Sequence, residues 1–236
     1  RARAAGEQAY PDADYDLAMA TNLLGRVLQT VGRTEQAVPL FDEAHQRFEA
    51  IVEARTNKAA QRMASVCIAR QGNCLLDLGR LDEAAAAYEG SIRRSEQLGD
   101  DRSVAGCRIQ LGTVRLQQRR YPEALAAYAE ARERFTALDE PNTVAVVWHQ
   151  TGVAYQGAGQ SDAAEDAYRK SLAISVRLGD VAGQAGTLMH LGLLYNETRP
   201  EEAAAFFRQS ADKCVEMRDL MHEGTVRSNL AIALGK

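Results

Sequence analysis

The side chains best suited to chemistry in this sequence are four histidines and four cysteines, and their spacing argues against most of it. A catalytic constellation sets a nucleophile or an acid against a base within hydrogen-bond reach. His45, His149, His190 and His222 are instead scattered along the chain. No Gly-x-Ser-x-Gly, His-Glu-x-x-His or phosphate-loop pattern lies near them. Gly183 to Gly192 holds several glycines, but they fall at helix-packing intervals and follow no strand, so a nucleotide loop is the weaker reading. There is no Cys-x-x-Cys, and Cys74 and Cys214 have no histidine at metal-ligand spacing. The expectation is a chain that is not an enzyme and uses no metal and no cofactor.

The elements that hold these residues repeat along the sequence. Shifts of forty residues lay Gly152 on Gly112 and Gly72, Ala164 on Ala124 and Ala84, Tyr168 on Tyr128 and Tyr88, and Leu178 on Leu138 and Leu98. A forward shift of forty gives Gly192, and one of thirty-nine gives Ala203 and Phe207, so the turn before Pro200 is one residue shorter. A period in this range means units that bury their apolar faces against their neighbours. Each unit reads as two helices. Ala145, Trp148, Gly152 and Tyr155 lie three or four apart on one face of a first helix. Ala163, Ala164, Ala167, Tyr168, Ser171, Leu172 and Leu178 form the stripe of a second, with Glu165, Asp166, Arg169 and Lys170 opposite. Gly32, Gly79 and Gly159 share the turn between them, where glycine accepts a left-handed conformation, and Ser161 or Asp162 is expected to cap the helix that follows. A glycine recurs inside the first helices (Gly25, Gly72, Gly112, Gly152, Gly192). Each costs about 1 kcal/mol against alanine, so close helix approach is expected there, with Tyr128 and Tyr168 buried.

The residues Trp148, Gly152, Tyr155, Ala164, Tyr168 and Ser171, with the same slots in the other units, resemble tetratricopeptide repeats. The period of forty and the Leu-Gly-Asp at Leu98–Asp100 and Leu178–Asp180 look like the long-helix variant of that family. The resemblance implies an all-α, right-handed superhelical α-solenoid of stacked antiparallel helix pairs. Against the family pattern, Arg115 stands for an aromatic or leucine, Gln71 and Thr151 for leucine, and Arg119 and Thr198 for the turn glycine.

In chain order, residues 1–14 read as a linker or the frayed start of a helix. Residues 15–236 read as a single array of five helix pairs plus a terminal half-repeat from Glu223 to Leu234. From Gly25 to Gly72 the period is seven residues too long, and the excess is placed around Ile51 to Met63, where the helices overrun the stack and a turn near Thr56 and Asn57 projects. The chain begins at Arg1 and reads as a piece of a longer protein. The net charge of −4 is small and both signs interleave, so no basic stripe points to nucleic acid. No apolar run approaches the ~20 residues that span a bilayer, so no membrane association is expected. Cys67 and Cys107 occupy one slot of consecutive repeats, too far apart to bridge, and thiols scattered in helices suit a reducing cytoplasm.

What the resemblance offers for function is a groove, because in this family the first helices line the concave side. The residue two before each glycine runs Leu23, Arg70, Gln110, Gln150, His190 and, before Ala231, Asn229; five of the six can hydrogen-bond. The residue after it runs Arg26, Asn73, Thr113, Val153, Leu193, Ile232, grading from polar to apolar. Arg26, Arg70, Asn73, Gln110, Thr113, Gln150, His190 and Asn229 are therefore the expected partner-binding residues, facing a protein or peptide. The lysines and asparagines of the carboxylate clamp found in chaperone-binding relatives are absent. The sequence thus reads as a non-catalytic binding scaffold within a larger cytoplasmic regulator. The alternatives are self-association, through the overrun or the open end at Leu230 to Leu234, and a ligand-sensing segment of an ATPase- or protease-containing protein.

Overall fold

In a computed structural model, residues 12–54 and 57–235 are described, and among them the chain is helical with no strand. It divides between Gln118 and Arg119 into two compact units. The first holds α1 (Ala13–Thr30), α2 (Thr34–Ala54), α3 (Lys58–Asp77), α4 (Leu81–Gln97) and α5 (Asp101–Gln117). The second holds α6 (Tyr121–Ala137), α7 (Pro141–Gly157), α8 (Ser161–Leu178), α9 (Val181–Tyr195), α10 (Pro200–Met217) and α11 (Leu220–Ala233). Within each unit consecutive helices pack in antiparallel pairs, as the sequence period requires. No helix among the described residues is long and apolar enough to cross a membrane.

The recurring glycines meet the recurring aromatics. A Cβ added at Gly25 would lie 3.0 Å from the Phe41 ring, at Gly72 3.0 Å from Tyr88, at Gly152 2.5 Å from Tyr168 and at Gly192 2.5 Å from Phe207. These four first helices thus lay bare backbone against a ring of the paired second helix. Phe41, Tyr88, Tyr128, Tyr168 and Phe207 are all fully buried, and the burial expected for Tyr128 and Tyr168 holds.

Gly32, Gly79 and Gly159 take positive φ, as the turn demands. Arg119 adopts the same left-handed conformation at φ 59°, and Asp139 and Arg218 do so at the ends of second helices, where Gly99 and Gly179 stand in the other units. At Thr198 the turn closes differently, with the Thr198 and Arg199 amides both donating to the Tyr195 carbonyl. One expectation is corrected. Ser161 and Asp162 lie inside the first turn of α8, and Gln160 is its N-cap without a side-chain bond, because the helix starts directly after the glycine turn. Side-chain caps belong to the first helices, where Asp100, Asp180 and Asp219 accept from the amides of Ser103, Gly183 and His222.

The helix α1 begins at Ala13, within the stretch read as linker or frayed helix. The seven extra residues lengthen α2 and α3 to 21 and 20 residues. Asn57 caps α3 by accepting from the Ala60 amide, and Thr56 lies outside the described residues. Ile51, Ala60 and Ala64 are buried with Phe48 and Cys67, and Met63 packs on them, so the overrun builds its own core. All four cysteines are free and buried. Burial pushes the Cys67 thiol up to about 12 against a smaller opposing pull from Arg70, and that of Cys74 to about 11 with a smaller addition from Asp77.

Candidate functional site

In the first unit the expected residues sit on α1, α3 and α5. Arg26 is exposed, while Arg70, Asn73, Gln110 and Thr113 are half-buried. Arg70 Nη1 donates to the buried Asn22 Oδ1 at 2.7 Å, which ties α3 to α1. Its pKa is lowered by burial and then by the nearby Arg26, so these two predicted residues share one electrostatic neighbourhood. The Tyr88 hydroxyl donates to Asn73 Oδ1 at 2.6 Å, so Asn73 also anchors the ring beneath Gly72. The Thr113 hydroxyl donates to the Ile109 carbonyl one turn back at 3.1 Å. Arg115 is held by Glu89 of α4 at 2.8 Å, which makes an arginine acceptable in an apolar slot.

In the second unit Gln150, His190 and Asn229 are half-buried on α7, α9 and α11. The histidines do not stay scattered. His149 and His190 meet edge to face with ring centroids 4.7 Å apart, and each lies 5.6 Å from the Tyr168 ring. The two histidines are forty-one residues apart, one more than the period, and that single extra step turns one ring toward its neighbour on the next first helix. Trp148, beside His149, is gripped by the Arg132 guanidinium 3.9 Å and the Lys170 ammonium 4.5 Å from its ring centre, so α6 and α8 fix the rotation of α7.

Hydrogen bonds around the histidine pair set its protons. Ser171 Oγ donates to the Ala145 carbonyl at 2.8 Å, so it can accept from Thr187 Oγ1 at 3.3 Å. With Thr187 donating to Ser171, its oxygen is placed to accept from His149 Nδ1 at 3.2 Å, an arrangement that the Nδ1–H tautomer of His149 satisfies. The Tyr168 hydroxyl donates to Gln156 Oε1 at 2.8 Å. Burial, and then the neighbouring His190, push His149 down to about 4, and burial lowers His190 as well. Near neutrality the pair is an uncharged element that orders α7, α8 and α9. His45 stands apart on α2, lowered by burial first, and the exposed His222 pairs with Asp219 at 2.7 Å. Among the described residues no group of three or more histidines, cysteines or carboxylates is disposed to hold a metal ion.

A family model described as tetratricopeptide repeat matches residues 62–137, 106–177 and 143–213, and a second model of the same description matches residues 17–55. Together they cover more than half of the sequence. The chain belongs to the tetratricopeptide repeat family. Such repeats form protein-interaction scaffolds that bind protein or peptide partners, and the fold is generally non-catalytic. No curated protein matches the sequence. Among solved structures, BtubC from P. vanneervenii is similar at TM-score 0.77 and 24% identity, over 92% of this chain and 87% of that one. A signal transduction ATPase with numerous domains from Pyrococcus horikoshii, carrying a tetratricopeptide repeat sensor, is similar at TM-score 0.76 and 15% identity, over 96% of this chain and 35% of that one. A Rap protein complexed with competence and sporulation factor follows at TM-score 0.74 and 13% identity, over 91% and 58%. At these identities the likeness is one of fold. Gly25, Gly72, Gly152 and Gly192 and the rings on them all fall within the matched residues.

Proposed function

We propose that this chain is a non-catalytic peptide- or protein-binding module of a larger cytoplasmic regulator, and that its partner lies on the first helices. The residues concerned are Arg26, Arg70, Asn73, Gln110 and Thr113 in the first unit and Gln150, His190 and Asn229 in the second. The observation that carries this reading is a contrast between helices of the second unit. The first helices offer uncharged hydrogen-bonding side chains beside exposed Val146 (50%), Leu193 (39%) and Ile232 (62%). The second helices also expose Val176 and Val215, but they are laced with ion pairs, Arg169 with Glu165, Lys170 with Asp166 and Lys213 with Glu216, while the first helices carry the pair Arg227–Glu223 on α11. A surface of apolar and neutral polar groups suits recognition of a peptide, whereas one saturated with its own ion pairs is already solvated. That the Rap neighbour was crystallised in complex with competence and sporulation factor agrees with a bound partner for this architecture.

The test is to select peptides from a displayed library on the immobilised chain and measure their affinity for variants. Gln150→Ala and His190→Ala are expected to weaken binding by about 1 to 2 kcal/mol, and Arg169→Ala to leave it unchanged. Binding that survives the first two and fails with Arg169→Ala refutes the assignment. A second reading, self-association, rests on the exposure of Ile232 and Leu234 on α11 and just after it. Light scattering of the free chain decides it, because a monomer at high concentration removes that reading.

A further inference from the structure

Two clefts in the second unit repeat one plan. The first, about 170 Å³, lies among α7, α8 and α9 and is lined in part by Val146, Ser175, Asp180 and Gly183. The second, about 200 Å³, lies among α9, α10 and α11 and is lined in part by Met189, Cys214, Asp219 and Val226. Slot for slot, Ser175 corresponds to Cys214 and Asp180 to Asp219, one repeat apart. The clefts meet at Gly186, which lines both, and a Cβ there would find nothing within 4 Å. The slot of Gly186 holds Val66 and Gly106 in the first unit and Val146 in the preceding repeat. Gly186 therefore leaves open a junction that another repeat fills.

The first cleft also holds a hydroxyl that has lost its partner. In the first unit Ser95 Oγ and Ser65 Oγ lie 2.8 Å apart, and Ser65 and Ser91 add mutual bonds to each other's carbonyls. Ser175 stands in the slot of Ser95, but the slot of Ser65 is Ala145. Ser175 is 1% exposed, its Oγ has no hydrogen-bond partner, and it lines the cleft. Buried polar groups are nearly always paired, so an orphan beside open volume marks a place for a ligand atom. Charge limits the ligand further. Asp180 and Asp219 stand one in each cleft, each with Oδ1 accepting from a helix amide and Asp219 Oδ2 also beside His222, and among the described lining residues there is no lysine or arginine.

Resting on the reading that the first-helix face of this unit binds a peptide, the geometry points to the two clefts as paired side-chain pockets for a cationic peptide in extended, polyproline-like form. Neighbouring helices pack about 10 Å apart, and a polyproline II chain places side chains three residues apart on one face at about 9 Å. Two aliphatic side chains at that spacing enter the clefts on either side of Gly186. A polar group of the peptide satisfies Ser175 Oγ, and lysine or arginine lies against Asp180 and Asp219.

The experiment selects random dodecapeptides displayed on phage against the wild-type chain and measures the winners by fluorescence polarisation. Enriched peptides are expected to carry two aliphatic residues three apart with a neighbouring lysine or arginine. They should bind Gly186→Val about tenfold or more weakly, with a several-fold loss for Ser175→Ala. Gly186→Val should melt no lower than the parent; Gly186→Ala is the milder filling and should weaken the same peptides in smaller degree. Peptides that bind both Gly186 variants as tightly as wild type but lose affinity for His190→Ala overturn the clefts and leave the wider groove reading intact. Enrichment of acidic peptides overturns the charge assignment, and failure to enrich any peptide counts against the groove reading as well.

Discussion

Replacing Gly152 by alanine should destabilise the protein, although alanine is the better helix former. The substitution gains about 1 kcal/mol of helix propensity. Against this, the new Cβ would stand 2.5 Å from Tyr168 Cδ1 and Cε1 and 3.0 Å from Cγ. Carbon atoms prefer about 3.5 to 4.0 Å, so the overlap is roughly 1 Å. The ring cannot withdraw, because Tyr168 is fully buried and its hydroxyl is held by Gln156. Either α7 and α8 part or the ring leaves its rotamer, and overpacking of this kind costs about 1 to 3 kcal/mol and occasionally more. The net expectation is a loss of about 1 kcal/mol or more. The same calculation ranks a series. Gly192→Ala, with Phe207 at 2.5 Å, should also destabilise, and Gly25→Ala, at 3.0 Å from Phe41, should stay near neutral. Gly186→Ala meets nothing and should gain up to about 1 kcal/mol. Urea midpoints followed by far-ultraviolet circular dichroism read the order directly. A Gly152→Ala protein as stable as its parent, or a Gly186→Ala protein less stable, would refute the reasoning.

Three further outcomes follow from the packing and the histidine pair. Tyr128→Ala and Tyr168→Ala should each cost about 3 to 5 kcal/mol by the same denaturation assay, as for other large buried aromatics. Stability should fall with acid. His149 titrates at about 4 in the fold against 6.5 in a free chain, so between those values the unfolded state binds a proton the folded state refuses. The loss should reach about 2 kcal/mol at pH 5, and His149→Phe should flatten most of that slope in melts taken across the pH range. Arg218→Gly removes a left-handed arginine at φ 57° and should gain about 1 kcal/mol, seen as a melting temperature several degrees higher.

Much of the fold is legible in the spacing alone, because each repeat solves the same packing problem. The interval from Gly152 to Tyr168 recurs as Gly72 to Tyr88, and one ring lying on bare backbone explains both. Departures appear where local geometry competes with pattern. Ser161 looked like a cap by residue type, but a glycine turn that feeds directly into the helix places it one step too late. The meeting of His149 and His190 lay outside a strict forty-residue comparison, since residues of adjacent helices that face each other need not share a slot. The orphaned Ser175 hydroxyl was legible only as a comparison across two repeats, Ser65 with Ala145 and Ser95 with Ser175. The proposed row on the first helices follows from the period, whereas its chemistry depends on which of its members the fold already uses. Asn73 steadies Tyr88 and Arg70 reaches Asn22, while the faces of α7 and α9 keep open clefts.

Whether a partner peptide lies on the first helices can be read from amide chemical-shift mapping of the isotope-labelled chain during titration with a selected peptide. In the second unit the shifted resonances should concentrate on α7, α9 and α11, around Gln150, Gly186, His190 and Asn229, with little change at Arg169, Lys170 or Lys213. Shifts concentrated on α8 and α10, with the first helices unmoved, would contradict that placement.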